Sequence, residues 1–266
     1  MHWYSLGAGV GRRQQSHRRA ACACLGLIAV FAVLASHAVR FAQAEPASEQ
    51  VYQRYEVYSG VDVTSNSVFG YFGGVWALGR SVTGQGLRLK VLGGTGRYDY
   101  QTTLPGFTGK STVQGDVELF QAMAGYQWQR GDWTVKSYLG LAAEEHDLKP
   151  NDPANSVAGS RAGVIGQLEL WRNLGSTGFL SFDSSYSTTF ESYFAQGRIG
   201  KRFSRRLSVG LEGAALGNEE YESGRGGAFM RFHMGQVDLT LSGGVGSDYY
   251  GDDTGGYGAL GLYSRF

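Results

Sequence analysis

The chain has 266 residues, of which 24 are Lys or Arg and 23 are Asp or Glu, giving a formal net charge of +1. This near-neutral balance argues against nucleic acid as a partner, because such proteins carry basic patches that neutralise phosphates. Glycine contributes 42 residues, more than twice its usual share of ~7%. Aromatic residues make up 13% of the chain, which argues against disorder because disordered segments contain few aromatics.

The amino-terminal segment has the three parts of a secretory signal peptide. Four arginines between positions 12 and 19 precede an uncharged run from Ala20 to Val39, and Ala42-Gln43-Ala44 supplies small residues for cleavage after Ala44. The sequence therefore predicts a cleaved leader over 1–44 and an exported mature domain over 45–266. The leader would remove five of the 24 basic residues and none of the acidic ones, leaving a formal charge of minus four.

Two other interpretations of this segment remain open. The uncharged run is about as long as a membrane-spanning helix, so an uncleaved anchor is an alternative. A lipoprotein site at Cys22 or Cys24 is a weaker one, because neither residue follows the Leu-containing motif that such sites need. Both cysteines lie within the leader, so no disulfide framework can be proposed for the mature domain.

Strict alternation of apolar and polar residues predicts β-strands throughout the mature domain. In LRLKV, the side chains of Leu87, Leu89 and Val91 alternate with two basic residues, and QVDLTLSGGV repeats this two-residue period. No convincing amphipathic helix follows residue 45. Twelve such runs are present, each close to the ~9 to 11 residues that a tilted membrane strand needs. They cover residues 52–63, 67–79, 86–101, 112–128, 132–145, 158–172, 177–187, 190–202, 206–217, 224–234, 236–249 and 254–266.

Long strands with little proline favour an all-β fold, a closed antiparallel outer-membrane β-barrel of about 12 strands, over a soluble sandwich. An even count allows both chain ends to lie on one side of the barrel. The carboxyl-terminal strand ends in Phe266, which resembles the terminal signal that outer-membrane proteins present for assembly. Aromatic residues near strand ends are predicted to form interfacial girdles; examples are Phe72, Trp76, Trp128, Trp133, Trp171 and Tyr263.

The connections divide into two groups. With the amino end in the periplasm, outer loops are predicted at 102–111, 146–157, 218–223 and 250–253, and inner turns at 129–131, 173–176, 203–205 and Gly235. Acidic residues cluster in or beside the predicted outer loops, whereas basic residues flank the inner turn at 203–205. These charges are interpreted as solvated rims, with divalent ions shared with lipopolysaccharide as the sharper alternative.

The segment LGGTGRYDY raises the possibility of a phosphate-binding loop. A dinucleotide-binding turn would lead into a helix and place a third glycine and an acidic residue at fixed distances. Here Arg97 and Tyr98 continue the alternation of a strand instead. The glycines are therefore interpreted as small side chains on a strongly curved strand.

The two histidines of the mature domain are the candidates for a catalytic or metal site. His146 lies among acidic residues, which could ligate a metal or form an acid–base site, but no second histidine follows at ligand spacing. His233 precedes Asp238 and Ser242, so a Ser-His-Asp arrangement remains open near an inner turn. Because no nucleophile motif supports either idea, the sequence predicts a protein that is not an enzyme and has no cofactor or metal.

Two segments carry a resemblance to a known family. YSGVDVTSNSVFGYFGGVWALG (58–79) and GLRLKVLGGTGRYDY (86–100), together with GYQW at 125–128, resemble the cellulose biosynthesis protein BcsS family. The resemblance implies an outer-membrane accessory protein of bacterial cellulose synthesis, without a catalytic residue set. It also implies cellulose or a related glucan, outer-membrane lipid, lipopolysaccharide and possible other synthesis components as partners.

A barrel that meets a glucan would offer aromatic rings that stack on sugar faces. The candidates are Tyr98, Tyr100, Tyr126, Trp128, Tyr186 and Tyr193. The alternative is that these rings belong to the interfacial girdles or fill the lumen, because a two-residue period does not reveal which face meets lipid. The predicted function is assistance in secretion, anchoring or organisation of the glucan, and the alternative is a general small-solute porin or a structural barrel.

Overall fold

The computed structural model describes residues 53–79, 81–247 and 254–266. These residues form twelve β-strands. No helix long and apolar enough to cross a membrane occurs in these residues. The predicted leader and the predicted outer loop at 250–253 lie outside them. The strands are β1 (Tyr55–Thr64), β2 (Ser67–Ala77), β3 (Gly86–Thr102), β4 (Ser111–Arg130), β5 (Trp133–Lys149), β6 (Gly159–Leu174), β7 (Gly178–Ser187), β8 (Tyr193–Arg202), β9 (Leu207–Gly217), β10 (Glu222–Met234), β11 (Val237–Ser247) and β12 (Thr254–Arg265).

Each strand pairs antiparallel with its neighbour in sequence, and β1 pairs with β12, so the sheet closes into a barrel. The closure is continued at the chain end, where the amide of Tyr55 donates to the carbonyl of Phe266 at 2.9 Å and the amide of Phe266 returns the bond. The predicted closed antiparallel barrel of twelve strands is confirmed. We refer to the end with residues 55 and 266 as the termini end, and to the opposite end as the loop end.

Most observed strand boundaries differ from the predicted ones by a few residues, and two of the differences affect the loop end. β5 continues to Lys149, so His146 lies within a strand and not in the predicted outer loop 146–157. β8 begins at Tyr193, three residues later than predicted, because the preceding connection folds into the barrel. Alternation of apolar and polar residues predicted neither boundary. This pattern contains no feature that marks the residue at which a strand ends or leaves the membrane.

The strand register assigns the two faces of the wall. Leu139 and Leu141 on β5 are 66% and 68% exposed and face outward, as lipid-facing side chains do. Trp128 and Trp133 share this outward face near the termini end, as the girdle prediction expects. Trp171 and Tyr263, in contrast, point inward, so the girdle prediction is wrong for these two. The two-residue period correctly predicts that both residues lie in strands. It does not indicate whether their side chains face the lumen or the lipid.

Glycines opposite aromatic residues account for part of the unusual composition. On the inner face, Gly73 lies directly across from Tyr58, and Gly125 lies directly across from Tyr138. In each pair the ring covers the neighbouring glycine so closely that an added Cβ would overlap it. Gly94, from the segment that resembles a phosphate loop, is covered in the same way by the ring of Phe69. Glycine thus lets large rings lie flat against the curved wall.

We expect Gly125→Ala to destabilise the barrel by about 1–3 kcal/mol, because the added methyl group would overlap the Ser137 carbonyl and the Tyr138 ring. Gly166→Ala is the matched control, since nothing lies within 4 Å of the Cβ that it would add. Urea unfolding in lipid vesicles measures both variants. Equal stability of the two proteins would contradict the role assigned to the glycine–aromatic pairs.

Candidate functional site

The lumen is crossed by a chain of ion pairs. Lys136 Nζ on β5 lies 2.9 Å from Glu56 Oε2 on β1 and 3.5 Å from Glu169 Oε2 on β6. Glu169 also accepts a hydrogen bond from Lys90 on β3 at 2.5 Å. Three strands separate β1 from β5, so the bond to Glu56 spans the interior and does not follow the wall. All four charged groups are mostly shielded from solvent.

A second set of charges lies beside this chain. Arg225 on β10 donates from one nitrogen to both carboxylate oxygens of Asp62 on β1, at 2.8 and 2.7 Å. Arg198 on β8 donates to Glu212 at 2.8 Å, and the same carboxylate accepts bonds from Ser242 and Tyr257. Alternating charges and hydroxyl groups therefore fill the interior, as is expected where buried charges must be paired.

Part of the termini end is closed by the described residues of the turn between β2 and β3, 78–79 and 81–85. Val82 of this turn is buried, and its carbonyl accepts a hydrogen bond from Gln127 Nε2 at 3.0 Å. Arg88 is also buried and donates to backbone carbonyls of the turn, including Ser81 at 3.0 Å and Gly84. The turn is thus fixed inside the mouth beneath β3 and β4.

The loop end is covered by the connection between β7 and β8, residues 188–192. Phe190 is 1% exposed, contacts His146 edge-on at 5.2 Å between ring centroids, and lies beneath the guanidinium of Arg161. Ser192 donates to Glu144 at 3.2 Å. Phe190 and Glu191 have φ angles of 51° and 49°, which non-glycine residues seldom adopt. Tertiary contacts therefore hold this connection inward at the expense of backbone strain.

The connection between β9 and β10, residues 218–221, packs against this cover. The amide of Glu219 donates to the carbonyl of Phe190 at 3.0 Å, and the carboxylate of Glu219 accepts a hydrogen bond from Arg161. Burial raises the pKa of Tyr221 in this loop to about 12. Its phenol therefore keeps its proton at physiological pH, and the cover gains no charge from it.

Tyr98 and Tyr100 lie inside the barrel beneath this cover. They are 5% and 3% exposed and belong to an apolar cluster that includes Val113. The Tyr98 hydroxyl lies 2.8 Å from Nδ1 of His146, and the Tyr100 hydroxyl donates to Asp152 at 2.9 Å. Both rings are therefore packed within the protein, where a sugar face does not reach them.

The other four predicted stacking residues face outward. Tyr126 and Trp128 lie on one face of β4 near the termini end, with ring centroids 4.8 Å apart, whereas Gln127 between them points inward. Tyr186 and Tyr193 are cross-strand neighbours on β7 and β8 at the loop end. The structure does not bring the six residues together, and a path through the lumen would not meet these four.

The imidazole of His146 lies between a carboxylate and a phenol. Its Nε2 lies 2.8 Å from Glu144 Oε1 and its Nδ1 faces Tyr98, so both ring nitrogens are engaged. Within 53–79, 81–247 and 254–266, no group of three or more His, Cys, Asp or Glu side chains is arranged to hold a metal ion.

A Ser-His-Asp arrangement is present around His233, but with a different serine from the predicted one. Asp238 Oδ1 lies 2.7 Å from His233 Nδ1, and Ser208 Oγ on β9 lies 2.8 Å from Nε2. Ser242 instead donates to Glu212. Ser208 has no exposed surface, so it cannot attack a substrate in this conformation. Only the strand order reveals Ser208, because it lies 25 residues from His233 in sequence.

The outer wall of β3–β5 carries a polar patch at the loop end. A depression of about 440 Å³ there is lined by Thr95, Arg97, Asp116, Glu118, Glu145 and Asp147. Within it, Arg97 donates to Asp116 at 2.6 Å. Charged side chains on an outward face are costly in hydrocarbon, so this part of the wall extends beyond the lipid. The sequence predicted acidic loops here, whereas the structure places several of these acids on extended strands.

Solved structures similar to this chain are barrels. The COG4313 outer membrane channel from Pseudomonas putida F1 matches at 13% identity and a TM-score of 0.50, covering 84% of this chain and all of that one. The transport unit of the autotransporter AIDA-I from Escherichia coli matches at 10% identity and 0.48, covering 84% and 94%. KdgM porin in complex with disordered oligogalacturonate matches at 11% and 0.44, covering 79% and 99%. At these identities the first of these similarities supports the fold alone, and the other two carry no further weight.

Among curated proteins, none matches this sequence. A family model described as cellulose biosynthesis protein BcsS matches residues 56–266, which is the whole of the barrel from the second residue of β1 onward. This match agrees with the resemblance of the segments at 58–79 and 86–100, and the chain belongs to the cellulose biosynthesis protein BcsS family.

Proposed function

We propose that this barrel is a non-enzymatic accessory protein of cellulose biosynthesis that anchors or organises the glucan at the outer membrane. The observation that carries the proposal is the bond between Lys136 and Glu56 across the lumen of a member of this family. A polymer threaded through the barrel would have to separate these charges. Leaving one charge of a buried ion pair without its partner costs about 3–5 kcal/mol. Contact with glucan on the outside of the barrel involves no such cost.

The loop end supplies a surface for this contact. Tyr186 is 52% exposed and lies directly beside Tyr193, and Phe107 at the tip of the connection between β3 and β4 is 65% exposed. Aromatic ring faces bind the apolar faces of sugars. Of the six predicted stacking residues, Tyr186 and Tyr193 are the two that this proposal retains for glucan contact on the cell surface.

The outer surface also suits the other predicted partners. The outward leucines of β5 would contact outer-membrane lipid, and the polar patch around Arg97 and Asp116 would lie among lipopolysaccharide head groups. The termini end would then face the periplasm, where other cellulose synthesis components could dock. The absence of an exposed nucleophile at Ser208 supports a function without catalysis.

A small-solute channel is the second candidate, and the charged and hydroxylated lining of the lumen favours it. In this alternative the side chains that fill the interior would leave room for water and ions but not for a polymer. The two candidates differ in what they predict for conductance and for surface glucan, so each is tested separately.

For the glucan function, we expect loss of the gene to reduce cellulase-sensitive glucan at the cell surface or to shift it into the medium. A double variant, Tyr186→Leu with Tyr193→Leu, replaces the natural protein in the second test. It should show about half or more of the glucan loss seen on deletion, because leucine preserves apolar area but offers no ring. Surface and released glucan are measured in parallel.

The matched control is Tyr126→Leu with Trp128→Leu, which removes two outward rings at the opposite end of the barrel. It should retain surface glucan if the variant assembles normally in the outer membrane. Unchanged glucan in the deletion strain would overturn the proposed function. An equal loss of surface glucan in both double variants would indicate that the rings act in membrane assembly. It would contradict the glucan contact assigned to Tyr186 and Tyr193.

For the channel alternative, we expect the natural protein in a planar bilayer to show low conductance. Replacing both Glu56 with Gln and Lys136 with Met should raise single-channel conductance by about twofold or more, because the crossing bond is lost. Replacing Arg97 with Gln and Asp116 with Asn, an ion pair on the outer wall, is the control and should change nothing. High conductance of the natural protein would favour the channel.

A further inference from the structure

Arg88, Arg202 and Arg231 lie inside the barrel without a carboxylate partner among the described residues. Arg88 donates instead to backbone carbonyls of the turn between β2 and β3, which leaves Arg202 and Arg231. The ammonium and guanidinium groups of Lys90, Lys136, Arg198 and Arg225 each lie within 4.0 Å of a carboxylate oxygen. Throughout the part of the chain that the structure describes, Arg202 and Arg231 do not. Neither guanidinium is therefore held in a direct ion pair, although Asp183 and Asp238 are close enough to act on Arg231 electrostatically.

The contacts of these arginines leave most of their donors available. Arg202 Nη2 donates to Asn173 Oδ1 at 3.0 Å, and Arg231 Nε donates to Thr240 Oγ1 at 3.2 Å. Both acceptors are neutral. A guanidinium has five N–H donors in a planar fork that matches carboxylate and phosphate groups.

The two guanidinium groups converge on one point of the wall. Arg202 and Arg231 are both cross-strand neighbours of Ser208, one on each side, so all three side chains share the inner face. The central carbons of the guanidinium groups lie 5.4 and 5.7 Å from the ring centroid of Phe179. The aromatic face offsets part of the charge, but it cannot accept the hydrogen bonds that a pair of forks offers.

The surroundings would draw an anion toward this point. Asp238, the nearest carboxylate by strand pairing, is bound to His233 at 2.7 Å. The turns of this sector at the termini end, residues 175–177, 203–206 and 235–236, are short, and none reaches inward as Val82 does. Arg205 and Arg206 are exposed on the rim of the same sector. A cluster of like charges at the mouth of a cleft raises the local concentration of counter-ions.

We propose that Arg202 and Arg231 form a binding site for an oxyanion group, a phosphate or a carboxylate, that enters from the termini end. Each guanidinium donates two parallel hydrogen bonds to the oxygens, and the anion neutralises both charges. The site uses none of the residues that form the ion pairs across the lumen and none of the tyrosines at the loop end. It does not depend on the proposed glucan function, so either can fail while the other holds.

Isothermal titration calorimetry on the folded mature barrel in a zwitterionic detergent tests the site. One arm uses inorganic phosphate and the other uses succinate, and both are run against chloride at matched ionic strength. We expect saturable binding in at least one arm. Arg202→Gln and Arg231→Gln should each weaken it by about tenfold, because each removes a charge-assisted hydrogen-bonding fork. Binding in the phosphate arm, the succinate arm or both identifies the anion class.

Arg225→Gln is the matched control, since it removes a lumen guanidinium that Asp62 already neutralises, and it should bind as the natural protein does. Arg231→Lys preserves the charge but not the fork, so it should bind more weakly than the natural protein and more tightly than Arg231→Gln. The heat-dependent electrophoretic shift of barrels shows that each variant is folded. No saturable binding in either arm, or an equal loss in the Arg225 variant, overturns the proposal.

Discussion

Closure of the backbone ladder is the constraint on which the rest of this structure depends. Within hydrocarbon, no water is available to amide groups, so each strand needs a partner on both sides. The pairing of β1 with β12, continued by the bonds between Tyr55 and Phe266, removes the last two free edges. A closed wall has an inside, and twelve strands make that inside narrow. Side chains on the inner face must therefore fit around one another across the lumen.

The glycine–aromatic pairs and the ion pairs are two solutions to this crowding. Several large rings on the inner wall lie across from a glycine, as Tyr138 does from Gly125. Where a long charged side chain crosses the interior, it ends on an opposite charge, as Lys136 does on Glu56. Buried charges of this kind are costly to leave unpaired, so each chain of pairs also fixes the relative positions of the strands that it joins.

The sequence predicts the wall of the barrel better than its contents. Period-two alternation determines where each strand lies, because alternation reflects the different solvents on the two faces. Alternation does not indicate which face of a strand meets the lumen. Tyr126 and Trp171 are therefore predicted on the correct strands, but the direction of their side chains is not predicted. Alternation also does not predict which side chains contact one another across the lumen. Ser208 approaches His233 only because β9 is the neighbour of β10, and the inward fold of Phe190 depends on His146 and Arg161.

The two ends of the barrel differ in charge, and this difference limits how the protein can act. At the loop end, acids cluster on the outer wall of β3–β5, and the mouth is covered by packed side chains around Phe190. At the termini end, Arg202 and Arg231 lie beneath a basic rim. An anionic partner therefore approaches one end favourably, whereas a neutral glucan gains nothing from either charge and depends on exposed rings. The proposed glucan contact and the proposed anion site thus use different surfaces of the barrel.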